Sequence, residues 1–371
     1  MTVAPKQQHA GPPDHRGSRS RHQPRGHRLS KAVIGIPLLA ASAWLGRAAK
    51  QIPHNLDLPP PVPGTHTSLE TAFGRLAFYA ADAVAVSGEP PLLLVHSINA
   101  AASAYEIKPI FERSRGRPVY ALDLPGYGLS ERRAELYTPR IMTDAILSAV
   151  DEVARRHGPG PIDALALSLS SEFLARAATE RPAAFRSLSL ISPTGFDKRS
   201  PRNGPPGSNR GMPKLYRGFT FGLWRRPFFD LLTSRVSIRY FLEKTFGSKQ
   251  VDQSLIDYDY LTTHQPGAEH APFSFISGFL FSNDISRIYD ALRLPIWMVH
   301  GVRGDFQDYS GKRMVENRAN WSIEVFQTGA LPQFEIPDRF QDRFEAFLAT
   351  LPAPATAIPQ DRDGNLPAQQ L

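Results

Sequence analysis

The run Pro91-Leu92-Leu93-Leu94-Val95-His96 is apolar at every position before its histidine. Alternate side chains of a strand point to opposite faces, so such a run is at home only where both faces of a sheet are covered. Further strand patterns recur at Pro118–Leu122, Ile162–Leu167, Leu188–Ile191, Pro295–His300 and Trp321–Phe326. Helical patterns fall near Tyr105–Glu112, at Ser170–Arg181 and at Asp338–Leu351. Strands alternating with helices predict an α/β protein with a mostly parallel sheet. Ahead of them, Ser68 to Ala81 reads as a hairpin turning near Gly74, with Leu76, Phe78 and Ala80 on one face.

The plainest helix begins after Thr138. That residue caps it, Pro139 suits its first turn, Ile141, Met142, Ala145, Ile146, Ala149, Val150 and Val153 form one apolar stripe, and Gly158 ends it. The alternation breaks at Pro193 and resumes at Pro295. The intervening residues are aromatic-rich and mainly helical in pattern, after a Pro/Gly loop from Arg199 to Pro213. The predicted organisation is a disordered basic arm (1–31), a candidate membrane anchor (32–49) and a Pro-rich linker (50–64). A core then comprises 65–193 and 295–351, with a helical insertion at 194–294 and a disordered tail at 352–371.

Charge is unevenly placed. The chain of 371 residues carries a formal net charge of +8. Residues 1–31 hold seven Lys/Arg against Asp14 alone, so the remainder is close to neutral. No basic stripe interleaved with aromatics occurs there, and nucleic acid is not an expected partner. The absence of cysteine excludes disulfides, thiolate catalysis and cysteine-bound metals. No His or carboxylate pair has metal-ligand spacing, so neither metal nor cofactor is expected. The sequence carries no signal for an oligomeric state.

Residues 32–46 are uncharged throughout. As a helix they would extend roughly 22 Å, short of the ~30 Å hydrocarbon core of a bilayer. A short anchor, with Lys31, Arg47 and Lys50 snorkelling at its ends, is the reading preferred here. A cleaved signal peptide ending near Ala41-Ser42-Ala43 and a helix packed on the domain compete with it. An anchor would leave the arm in the cytoplasm and the globular part outside it. If the segment is not an anchor, the expected location is cytoplasmic.

Three sequence features carry chemistry. Ala166-Leu167-Ser168-Leu169-Ser170-Ser171 lies between a strand and a helix. A sharp strand-to-helix turn forces its apex to positive φ and admits only small neighbours, which Ala166 and Ser170 supply. The bland alternative is a polar strand end. Asp123-Leu124-Pro125-Gly126-Tyr127-Gly128-Leu129-Ser130 follows an earlier strand, and His96-Ser97-Ile98-Asn99 closes another.

With these motifs the chain resembles the α/β-hydrolase superfamily, in its capped branch, from about Thr67 to Leu351. The resemblance implies an eight-stranded, mostly parallel sheet with helices on both faces, and a cap from about Thr194 to Leu294. It implies a nucleophile at Ser168 and an oxyanion hole made by the N–H groups of Leu169 and of Ile98 or Ser97. Such donors contribute on the order of 3 kcal/mol each to a developing oxyanion. In the family Asp123 and its glycines shape a loop, and His96 is structural. Asn99 would cap its loop or offer an amide donor. The acid should follow the strand ending at His300; Asp305 is the best candidate, with Asp308 and Asp197 behind it.

The general base should follow Gly329, but the chain has Ala330 there. A serine hydroxyl without a base is a poor nucleophile at neutral pH. His270, His264 and His300 are the candidate substitutes, and Gln333 has no useful pKa for the role. The aromatic cap suggests an apolar substrate or ligand. Two functions follow: an esterase-like serine hydrolase, transferring an acyl group to water with a degenerate triad, or an inactive homologue kept as a ligand-binding or interaction protein.

Overall fold

The structure is a computed structural model that describes residues 52–81, 88–198 and 202–352. The basic arm, the candidate anchor, the first two residues of the Pro-rich linker and the tail beyond Pro352 lie outside the described residues. Among the described residues no helix is long and apolar enough to cross a membrane.

Eight strands form one sheet: β1 (Thr65–Thr71), β2 (Gly74–Ala81), β3 (Leu92–Val95), β4 (Val119–Leu122), β5 (Ile162–Leu167), β6 (Phe185–Ile191), β7 (Ile296–His300) and β8 (Trp321–Val325). Their order is β1-β2-β4-β3-β5-β6-β7-β8. β1 and β2 pair antiparallel, as do β2 and β4, and the remaining pairs are parallel. The helices are α1 (Lys108–Arg113), α2 (Pro139–His157), α3 (Ser170–Glu180), α4 (Pro213–Phe219), α5 (Arg225–Leu232) and α6 (Arg235–Phe246). They continue with α7 (Gln253–Thr263), α8 (His270–Ile276), α9 (Ile285–Ala291), α10 (Pro332–Glu335) and α11 (Pro337–Ala349).

The expected helix after Thr138 forms for the reasons its sequence gives. The Thr138 hydroxyl accepts from the Ile141 N–H, and Gly158 ends the helix at φ 84°. Two apolar layers cover the sheet. Leu76, Phe78, Ala80, Leu93 and Val95 face α2 and α3, whereas Ala77, Tyr79, Leu92 and Leu94 face α1 and α11. β3 is therefore buried on both sides, as its unbroken apolar run requires. Helices α4 to α9 make the inserted cap between β6 and β7, with a small core of Phe229, Ala268 and Phe273.

The Pro-rich segment departs from the spacer its composition suggests. From Ile52 to Leu58 alternate residues turn inward, and Val62 is buried in the second core layer. The segment lies on the cap: His54 Nε2 is 3.0 Å from an Asp230 carboxylate oxygen, and Gln265 donates to the Leu56 carbonyl at 2.7 Å. Tyr258 donates to the Pro59 carbonyl at 2.7 Å. It is a docked strap, not a free linker.

At the carboxyl edge of the sheet the buried Asp123 carboxylate accepts three hydrogen bonds. They come from Tyr79 Oη (2.6 Å), the Ala104 N–H (2.7 Å) and the Leu129 N–H (2.8 Å). A side chain at Gly128, at φ 50°, would collide with that carboxylate, so glycine is required there. Arg132, buried above, donates to the Gly128 carbonyl and sits 3.5 Å from the Thr262 carbonyl of α7, joining this loop to the cap. Burial lowers its pKa to about 10 against the opposing pull of Asp123. Asp123→Ala would leave buried donors unpaired in three segments. Each such loss costs about 1–3 kcal/mol, so urea unfolding is expected to show a stability loss of at least ~3 kcal/mol, with no recovery in Asp123→Leu.

Candidate active site

β5 delivers Ser168 to the carboxyl edge of the sheet. Its N–H continues the ladder by donating to the Ile191 carbonyl at 2.7 Å, and the chain turns at once into α3. Ser168 has φ 50°, one of two positive-φ non-glycine residues described, the other being Ser192 at φ 48°. Holding an L-residue there costs on the order of 1–3 kcal/mol, which argues against a simple polar strand end. Ala166 and Ser170 flank the turn and are fully buried. The Ser170 hydroxyl finds no partner among the described residues, a consequence of placing serine where the bend favours a bare backbone. Ser170→Ala removes this unsatisfied group and is expected to raise unfolding free energy by about 1 kcal/mol, measurable by urea titration.

The loop after β3, where the oxyanion hole is expected, is held by a residue the sequence reading missed. The buried Glu106 carboxylate accepts from the Ser97 N–H (2.7 Å), Ser97 Oγ (3.0 Å) and Asn99 Nδ2 (2.6 Å). The Ser97 N–H is thereby occupied, whereas the Ile98 and Leu169 N–H groups have no partner among the described residues. Asn99 serves the loop, its side-chain oxygen accepting from the Ala101 N–H at 2.7 Å. The only sequence signal for Glu106 was Ser103-x-x-Glu106, which has the form of a helix-capping box. Ser103 does cap, but Glu106 turns the other way. His96 is a strut: its Nε2 accepts from the Leu124 N–H at 2.9 Å and its Nδ1 bonds the Ser97 carbonyl at 2.6 Å.

Ala330 stands at the end of the Thr328–Gly329 turn, 7% exposed. Its N–H donates to the Thr245 carbonyl at the end of α6 (3.0 Å), and its carbonyl accepts from Ser192 Oγ (2.8 Å). Ser192 follows Ile191, the residue that receives the Ser168 N–H. A Cβ on Gly329 would come within 2.5 Å of the Phe246 backbone, so the cap presses directly on this turn. Gln333 is buried and donates to the Glu106 carbonyl at 3.1 Å, linking the Ala330 turn to the oxyanion loop. Asp259 of α7 lies near Glu106, and burial together with that charge drives its carboxyl well above the usual range.

The remaining site candidates are not gathered around Ser168. Asp305 is exposed; its N–H donates to the Lys244 carbonyl at 3.0 Å. It borders a surface cleft of about 390 Å³ with Tyr240, Glu243 and Gly247. Its carboxylate makes no hydrogen bond or ion pair among the described residues. Asp308 caps the Lys198 N–H (3.0 Å), and Asp197 pairs with Arg202 (2.8 Å). A second cleft, of about 280 Å³, runs between Tyr105 and Phe334. Ser168 lines neither.

Two of the three imidazoles proposed as substitute bases, His264 and His300, are engaged elsewhere. His264 Nδ1 bonds the Tyr260 carbonyl at 2.7 Å while its ring stacks on Tyr260 at 3.8 Å. Burial lowers its pKa to about 4. His300 bonds the Gly301 carbonyl through Nδ1 (2.9 Å), receives Lys312 Nζ at Nε2 (3.0 Å) and stacks on Tyr309. Burial lowers its pKa, and Lys312 adds to the effect. His270 opens α8; burial, with Arg225 and Arg226 nearby, lowers its pKa against the opposing Glu269. Ser168 Oγ has no hydrogen-bond partner among the described residues.

The sequence profile of the α/β hydrolase family matches residues 92–343, and the chain belongs to that family. Its structure is similar to that of a probable hydrolytic enzyme from Pseudomonas aeruginosa PAO1, with 16% identity, a TM-score of 0.60, and 81% of this chain and 99% of that one covered. A carboxylesterase from Bacillus subtilis is similar over 84% of this chain and 97% of its own, at 16% identity and TM-score 0.54. An enol-lactonase from Burkholderia xenovorans LB400 aligns over 76% and 100%, at 14% identity and TM-score 0.57. At these identities the likeness shows the fold. No curated protein sequence matches this one.

The buried His264 gives a pH dependence with a definite sign. Its folded pKa, about 4, lies below the ordinary value of 6.5. Above pH 6.5 the ring is neutral in both states and its contribution is whole. As pH falls from 6.5 towards 4, the unfolded chain takes up the proton first and stability declines; below 4 the decline stops. His264→Phe is expected to make the stability profile measurably flatter across that window, read from urea midpoints at a series of pH values.

Proposed function

We propose that this α/β-hydrolase-fold protein is a ligand-binding homologue in which Ser168 sits without a general base. The observation carrying the reading is Ala330 at the position where the base is expected, together with the engagement of His264 and His300 elsewhere and the lack of any hydrogen-bond partner for Ser168 Oγ among the described residues. In a serine protease, loss of the histidine alone costs roughly 10⁶ in kcat. What persists is a binding geometry. The strained Ser168, and the Leu169 and Ile98 N–H groups, suit the carbonyl of an acyl or lactone-like ligand. Ala100, beside Ile98, packs on the cap aromatics around Phe219, Phe228 and Phe273, which favours an apolar body for that ligand.

A slow serine hydrolase of esterase type is the second reading. It is favoured by the retained φ 50° of Ser168, because strain of this kind is characteristic of sites where a hydroxyl must be presented. In that reading Asp305 would orient whatever base assists, and the carbonyl oxygen would lie between Leu169 and Ile98. We also extend the sequence-based placement: residues 32–49 hold the chain to a membrane, with the globular part outside the cytoplasm.

A fluorophosphonate probe separates the two readings. The binding reading predicts little or no labelling of the full chain over hours, at the level of Ser168→Ala. Rapid labelling abolished by Ser168→Ala would establish the hydrolase instead. Ala330→His is expected to raise hydrolysis of a p-nitrophenyl ester by about 10² or more, with the gain lost in the Ser168→Ala background. An unchanged rate would mean that Ser168 and the oxyanion donors are not assembled for acyl chemistry.

A further inference from the structure

The cap turns an unusual amount of apolar surface outward. Of the twelve exposed large apolar side chains described, nine lie between Met212 and Phe241. Leu223 is 72% exposed and Val236 81%. These residues follow a continuous track. Phe221 and Trp224 have ring centroids 5.0 Å apart at the head of α5. Leu231 lies two turns along from Trp224 on the same side of that helix. Ser237 donates to the Leu231 carbonyl at 2.8 Å, which brings the start of α6, and Val236, to the end of α5. Monomeric soluble proteins rarely display apolar residues so concentrated without a partner for them.

Charge on the same stretch is mainly positive. Residues 213–249 contain eight Lys/Arg against Asp230 and Glu243. Asp230 is buried and paired with His54 and Arg226, so it does not offset the surface. Lys214, Arg217 and Lys249 are exposed and have no ion-pair partner among the described residues. Short helices with Trp, Phe and Leu outward and basic residues around them suit the boundary between lipid headgroups and acyl chains. A second copy of the chain fits less well, because pairing this face with itself would set like charges together.

The strap adds an independent observation. It enters the described chain at Ile52, and its His54 is bonded to Asp230, next to Leu231 on α5. In sequence the uncharged run 32–46 ends only a few residues before Ile52. We propose that the outer face of α4 to α6 docks on an anionic phospholipid bilayer, so that the cap itself contacts the membrane. The surface takes phosphate headgroups on Lys214, Arg217 and Arg239, and acyl chains against Leu223, Leu231 and Val236. The claim is independent of whether Ser168 turns over.

Because the chain has no cysteine, single-cysteine labelling gives a direct test. Leu223→Cys and Val236→Cys in the full chain, each carrying an NBD fluorophore, are compared with Val325→Cys on β8. On phosphatidylcholine–phosphatidylglycerol vesicles the two cap probes should blue-shift, brighten about two-fold or more, and be quenched by nitroxide lipids, consistent with shallow burial. The β8 probe should not respond. Reversing Lys214, Arg217 and Arg239 to Glu should weaken the cap response on the order of tenfold in lipid concentration. Neutral phosphatidylcholine vesicles should give a weaker response as well. Cap probes that keep a water-like emission while the protein sediments with vesicles would overturn the proposal, as would no binding at all. A lipid-free, concentration-dependent dimer abolished by Leu223→Glu would assign the face to a second copy.

Discussion

Two buried carboxylates organise the carboxyl edge of the sheet. Asp123 joins three segments that are distant in sequence, namely β2, the turn before α1 and the loop after β4. Glu106, in that same turn, holds the oxyanion loop through two backbone-adjacent residues and meets the Ala330 turn through Gln333. Each carboxylate is covered from water and satisfied by several donors, the condition under which a buried charge is tolerable. The position of Ile98 relative to Leu169 therefore depends on these two buried carboxylates. Loss of either carboxylate would strand several donors at once, which makes this edge more cooperative than the cap above it.

The core was legible because its physics is periodic. A run such as Leu92–Val95 has one buried-strand interpretation, and the stripe from Ile141 to Val153 between Thr138 and Gly158 has one helical interpretation. The turn at Ser168 was legible for a steric reason, since small residues on both sides of a serine between strand and helix are what a tight bend demands. Other features were hidden by competing local chemistry. Glu106 has the spacing of a capping residue. The strap has a spacer's proline content, although Ile52, Leu56 and Leu58 alternate in a way that foreshadows one buried side. The outward turn of Trp224 and Val236 was illegible because α5 and α6 carry apolar residues on most sides, and only packing decides which side is covered. Asp305 shows the limit of motif spacing: the right residue type in the right loop points to an open cleft beside α6.

The cap and the carboxyl edge of the sheet are joined by backbone as well as by side chains such as Arg176, which pairs with Asp284. The end of α6 receives the Asp305 and Ala330 N–H groups at Lys244 and Thr245 and leaves no room for a side chain on Gly329. Arg132 makes a second tie to α7. Ser168 is half-buried at this edge, and Ala100, in the loop after β3, packs with the cap aromatics around Phe273.

Ala330 is held through its amide and its carbonyl, bonded to Thr245 and Ser192 respectively. Neither bond involves the side chain, so the hydrogen bonding of this turn sets no requirement on the chemistry that position 330 carries. An intact sheet and turn therefore do not by themselves establish turnover at Ser168.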